Sequence, residues 1–227
     1  MKRMTWAALL LMVGFASPAR AQMGTDLFKR PAFTKAFHPV VGKGAQYEMT
    51  NKTGSATKTQ TMAMGIVGRE SVDGKDGYWM QTVMHDSRGQ GMVSKTLVTA
   101  GDFQAHRVIF QQTGQAAMEM TVNPSTMHSE KAGEAMEGWH SVGTETITVP
   151  AGTFTCEHWK NDKTGSEVWA SDKVSPFGMV KETSKDNSMV LVKMLNDFSD
   201  QITGPVQKFD PQMMMQQMQQ RRQPPNP

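Results

Sequence analysis

The sequence predicts a mainly β (α+β) protein, with about eleven strands, mostly antiparallel, behind one or two short N-terminal helices. Three observations carry this. From about Gly44 onward apolar and polar residues alternate, the period of a strand with one buried and one wetter face. Turn pairs such as Asp73-Gly74 and Asp76-Gly77 sit between the alternating runs, where glycine and Asp tolerate the positive φ of a tight reversal. The connections are short, as antiparallel neighbours require.

Taken in order, the chain opens MKRMTWAALLLMVGFASPARAQ. Lys2 and Arg3 precede an apolar run from Trp6 to Ala16, and Ala19-Arg20-Ala21 places small residues where a signal peptidase reads. A secretory signal peptide over 1–21 is expected, with cleavage near Ala21 and a soluble product, periplasmic or secreted. The run falls short of the ~20 apolar residues of a membrane span, and no later segment comes close. A single β-rich domain is then expected over 22–200. It begins with Leu27, Phe28, Phe33, Ala36 and Phe37 at partly helical spacing, interrupted by Pro31 and closed by Pro39 and Gly42.

Strands are expected over 45–50, 57–68, 77–85, 90–98, 103–112 and 115–122, then 141–149, 153–161, 166–171, 178–184 and 188–196. Between the two runs, 123–139 reads as a loop with one helical turn. Beyond Asp200, FDPQMMMQQMQQRRQPPNP belongs to a low-complexity Met/Gln/Pro tail over 201–227, a composition that builds no varied apolar face and is expected to be disordered.

Charge and cysteine usage narrow the function classes. The formal charge is +3, from 24 basic and 21 acidic groups. Without Lys2, Arg3 and Arg20 of the signal, 21 bases face 21 acids. No basic stripe with interleaved aromatics remains, which argues against nucleic-acid binding. A single cysteine makes no internal disulfide, so an exported chain of about 205 residues is held by its core.

Two stretches carry a family pattern. In VGRESVDGKDGYWMQTVM, Gly68, Glu70, Val72 and Gly74 fit a G-x-E-x-V-x-G motif leading into a strand. GTETITVPAGTFTCEHW is followed by SEVWASDKVSPFGMVKET, with an aGtF turn and then P-x-G-x-V-K. This resembles the periplasmic LolA/LolB-like superfamily of lipoprotein carriers and its uncharacterised relatives. The resemblance implies a strongly curved antiparallel sheet, a half-open β-barrel wrapped around a helix with an apolar cavity. It implies no catalytic or ligand residues, because the shared motifs mark backbone turns. Independently, Val190, Val192 and Met194 alternate with Met189, Leu191 and Leu195, so this strand is apolar on both faces, as in a sheet covered on both sides.

Cys156 and His158 share a strand face with Phe154. Two ligands are not a metal site, and no spacing brings His38, His85, His106, His128 or His140 to them. No nucleophile elbow or S-x-x-K motif is present, and Asp73, Asp76 and Asp86 lie at turns, where Asp serves the backbone. A non-catalytic protein is expected, with no cofactor. Methionine is the outlier, with 21 in all. Its flexible, polarisable thioether suits an apolar cavity whose occupant varies in shape. Met62, Met64, Ile66, Met80, Met84, Met118 and Met120 are therefore the candidate cavity residues, for a lipid or other apolar ligand. The alternative is methionine-based copper handling, for which Met213, Met214, Met215 and Met218 are the softest cluster. A third reading is an interaction protein whose C-terminal tail docks an envelope partner.

Overall fold

The computed structural model describes residues 37–85, 89, 91–100, 104–122 and 138–208. The expected signal peptide, N-terminal helices, 123–137 connection and the tail beyond Lys208 lie outside the described residues. Within them there is no helix, and twelve strands form one sheet. They are β1 (Gly44–Thr53), β2 (Ala56–Val72), β3 (Lys75–His85), β4 (Gly91–Thr99), β5 (Ala105–Gln112), β6 (Ala117–Thr121), β7 (Trp139–Val149), β8 (Gly152–Asn161), β9 (Ser166–Ala170), β10 (Met179–Thr183), β11 (Asn187–Leu195) and β12 (Val206–Lys208). The first eleven are those the alternation predicts. The twelfth falls in the segment assigned to the tail, so the sheet runs past residue 200 to Lys208.

The strand order is β12-β6-β5-β4-β3-β2-β1-β11-β10-β9-β8-β7. Every pairing is antiparallel except β12 with β6, which is parallel. The turns follow from local chemistry. Asp73 and Gly74 join β2 to β3 with φ of 51° and 77°, the left-handed pair that matches strand twist. Pro150 and Ala151 join β7 to β8, with Val149 opposite Gly152.

The sheet curls without closing: β12 and β7 end it and do not pair with each other. One apolar cluster joins Met80 of β3, Met62, Met64 and Ile66 of β2 and Tyr47 of β1 to Val149 of β7, Phe154 and Cys156 of β8 and Trp169 of β9. Side chains so far apart in strand order meet only if the β7–β9 end bends back over β1 and β2. The Ala151 amide donates to the Leu191 carbonyl at 3.4 Å, tying the β7–β8 turn to β11 across β9 and β10. Register shifts at Gln46/Tyr47, Ile66/Gly68, Leu97/Val98, Ser141/Gly143 and Met179/Lys181 supply local bends. The Tyr47 hydroxyl, fully buried, donates to the Met179 carbonyl at 3.1 Å, and burial pushes its pKa up.

Candidate binding face

Directly opposed residues on neighbouring strands share a face, so the strand register assembles the site. Met62 opposes Met84, and Ile66 opposes Met80. From β3 the same face continues as Tyr78 opposite Val98, Met80 opposite Thr96, Thr82 opposite Ser94, and Met84 opposite Met92. On β5 it carries Val108 opposite Thr96 and Phe110 opposite Ser94. On β6 it carries Met120 and Met118 opposite those two. All seven sequence candidates thus stand on one face.

Burial divides that face. Met62, Met64, Ile66 and Met80 are 0–7% exposed and packed in the main core, where the curled end of the sheet covers them. Met84 is half-buried at the margin of that core. Met92, Val108, Phe110, Met118 and Met120 are half-buried outside it. Phe37 marks the entry of the chain onto this face, edge-on to Tyr78 at 6.3 Å and against Phe177 at 5.3 Å. Sequence reasoning missed Met92, Val108 and Phe110. They alternate within their strands, but only the register places them beside Met118 and Met120.

The opposite face carries a strap, residues 196–205, that crosses from β1 to β5 and leads into β12 beside β6. Phe198 lies against Gly65, where a Cβ would stand 2.4 Å from the Phe198 ring and 2.7 Å from the Lys43 carbonyl. Gln81, 0% exposed, donates from Nε2 to the Ser199 carbonyl at 3.1 Å and accepts the Gln201 amide at 3.0 Å. Asp200 pairs with Lys95. Gln111 donates to the Thr203 carbonyl at 2.8 Å and accepts its amide at 2.9 Å. Beside the strap, Trp79 donates to Glu70 at 2.9 Å and is flanked by Lys95 and Arg107, each 5.0 Å from its ring.

The Cys156–His158 pair does share a face. Cys156 is buried, and burial first, then the Glu145 carboxylate, push its thiol up to about 11. At neutral pH it is a protonated, poor nucleophile. His158 stacks on Trp169 at 4.3 Å and presents Nδ1 to Glu145 at 3.4 Å and Nε2 to Glu167 at 3.0 Å. Its two nitrogens face different carboxylates. No group of three or more His, Cys, Asp or Glu among the described residues could hold a metal ion. The methionines Met213, Met214, Met215 and Met218 lie outside the described residues.

No protein-family model matches the chain, and no curated protein matches it. Similar solved structures include an exported protein with a YmcC-like fold from Bacteroides fragilis, 12% identical over 70% of this chain and 97% of that one, with a TM-score of 0.35. Another is a lipoprotein from Parabacteroides distasonis, 13% identical over 70% of this chain and 97% of that one, also at 0.35. A LolA superfamily protein from Nitrosomonas europaea is among them. It is 9% identical over 79% of this chain and 96% of its own, with a TM-score of 0.28. No helix among the described residues is long and apolar enough to cross a membrane.

Proposed function

We propose that this is a non-catalytic exported protein, soluble beyond the inner membrane, that binds an apolar ligand, a lipid or acyl chain, on the open half of its methionine face. The observation that supports this reading is the half-buried row Met92, Val108, Phe110, Met118 and Met120, which lies outside the core and continues from Met84 at its margin. An acyl chain laid along the row replaces water at about 0.8 kcal/mol per buried CH₂. Methionine's three rotatable bonds let the surface fit chains of differing shape. Thr82, Ser94 and Thr96 cross the middle of the face and offer hydroxyls to a head group or ester.

Native mass spectrometry of the protein purified from its own envelope, with displacement of an environment-sensitive dye, tests the reading. A co-purifying lipid is expected, and Met118→Ser with Met120→Ser should weaken dye binding about tenfold, the loss of roughly two buried CH₂ groups. No co-purifying lipid together with no dye displacement would overturn it.

A further inference from the structure

A groove sits away from the methionine face, where the chain from His38 to Gly44 passes the β9–β10 loop and the C-terminal end of β11. It encloses about 240 Å³ and is lined by none of the candidate cavity residues of that face. Its apolar lining comes from Val40, Met194 and Leu195. Val40 is 49% and Met194 39% exposed, and Val41 beside them is 52% exposed. Single exposed apolar side chains are ordinary on a surface, but here Val40 and Met194 line one concavity.

The lining is also cationic. Lys43 and Lys173 both line the groove, and neither is in an ion pair among the described residues. The Lys43 ammonium donates to Asn196 Oδ1 at 2.9 Å, a neutral amide that leaves its charge uncancelled. Asp172 is the one carboxylate of the lining, so the formal balance is positive.

The walls are already fixed. The His38 amide donates to the Pro176 carbonyl at 2.9 Å, and Gly42 donates to Ile66 at 2.8 Å. Ser175 Oγ donates to the His38 carbonyl at 2.9 Å. Val174 and Phe177 anchor the loop in the core. A pre-formed groove costs little ordering when it is filled.

We propose that this groove is a second binding site, for a small amphiphile with one short alkyl chain and an anionic head, carboxylate or phosphate. The chain lies on Val40, Met194 and Leu195, and the head sits at Lys43 and Lys173. The volume is below the ~300–1,000 Å³ usual for drug-sized ligands, so a single chain fits and a diacyl lipid does not.

Met194 is a built-in reporter. The intact protein, labelled with [methyl-¹³C]methionine and with Met194 assigned from the Met194→Leu spectrum, is titrated with sodium decanoate below its micelle concentration. A saturable shift of the Met194 methyl is expected. Decanol should bind about tenfold more weakly, and Lys43→Gln with Lys173→Gln should weaken decanoate to a similar degree, two partly screened charges being worth about threefold each. Comparing decanoate with n-decyl phosphate identifies the head, while inorganic phosphate alone should leave Met194 unmoved. A still Met194 methyl, equal shifts with decanol, or unchanged binding in the double lysine variant would overturn the site. Shifts confined to Met118 and Met120 would also overturn it while leaving the methionine-face reading standing.

Discussion

Two halves of one sheet face differ although their residues are alike. On β2 and β3, Met62, Met64, Ile66 and Met80 sit in the core beneath the curled β7–β9 end. On β4 to β6, Met92, Met118 and Met120, with Val108 and Phe110, are half-buried and outside it. Residue type therefore does not decide which methionine is structural. Distance along the strand order from the curl does. The reverse face has the same gradient, for the strap is plugged by Phe198 at Gly65 and clasped by the fully buried Gln81, then ends in β12, whose three residues are all exposed.

The largest expected effect separates the two methionine sets. Met64→Ala leaves a cavity in the closed half and should lower stability by about 2–5 kcal/mol, read from the urea midpoint at constant slope. Met118→Ala, half-exposed, should cost under about 1 kcal/mol by the same measurement, because most of its environment can relax or hydrate. Equal losses would erase the distinction between covered and open halves. Gly65→Ala comes next. Its added Cβ meets the Phe198 ring and the Lys43 backbone carbonyl, and such overpacking costs about 1–3 kcal/mol. Amide exchange should rise across 198–203 in that variant, and an unchanged exchange rate would mean that the strap does not depend on its plug.

The sequence showed all eleven longer strands and the Asp73-Gly74 turn because those signals are local, alternation within a strand and Asp-Gly between two; Asp76-Gly77, expected at a turn as well, lies inside β3 opposite Ser71 and Glu70. It also grouped Met62, Met64 and Ile66 correctly on one face. What it could not show was the partner of each strand. β1 pairs with β11, more than a hundred residues away, and that pairing brings the β7–β9 end over β2. Without it, Met64 and Met118 read alike. The strap was illegible for a related reason. Gln81 and Gln111 look like polar residues of a wet face, and only a chain lying across them makes them buried clasps. Low-complexity composition after Asp200 hid β12, whose hold is largely main-chain and leaves no apolar pattern.

The two glutamines grade the strap more finely. Gln81→Ala strands the Ser199 carbonyl and the Gln201 amide in a buried setting and should cost about 1–3 kcal/mol. Gln111→Ala frees the Thr203 groups where water can replace them, so about 0.5–1 kcal/mol is expected from the same urea titration. A reversed order would mean that the strap is anchored at its β12 end.

The smallest effect lies at the open end and depends on pH. Hydrogen bonding from the Arg107 guanidinium, at 2.6 Å, holds the Glu119 carboxyl below the usual carboxylate range, against a burial that pushes it the other way. A carboxyl depressed in the folded state stabilises the fold above its unfolded pKa, and that contribution is lost as pH falls through the folded value. Glu119→Gln should thus lower the urea midpoint slightly at pH 7, and the gap to the parent should close on acidification below about pH 4, the ordinary carboxylate range. Because the Arg107 side chain is 37% exposed, added salt should shrink the gap as well. A gap that is constant from pH 7 to pH 3 would show that β5 and β6 are joined by their ladder and apolar pairs alone, with the ion pair a bystander on the more loosely held half of the sheet.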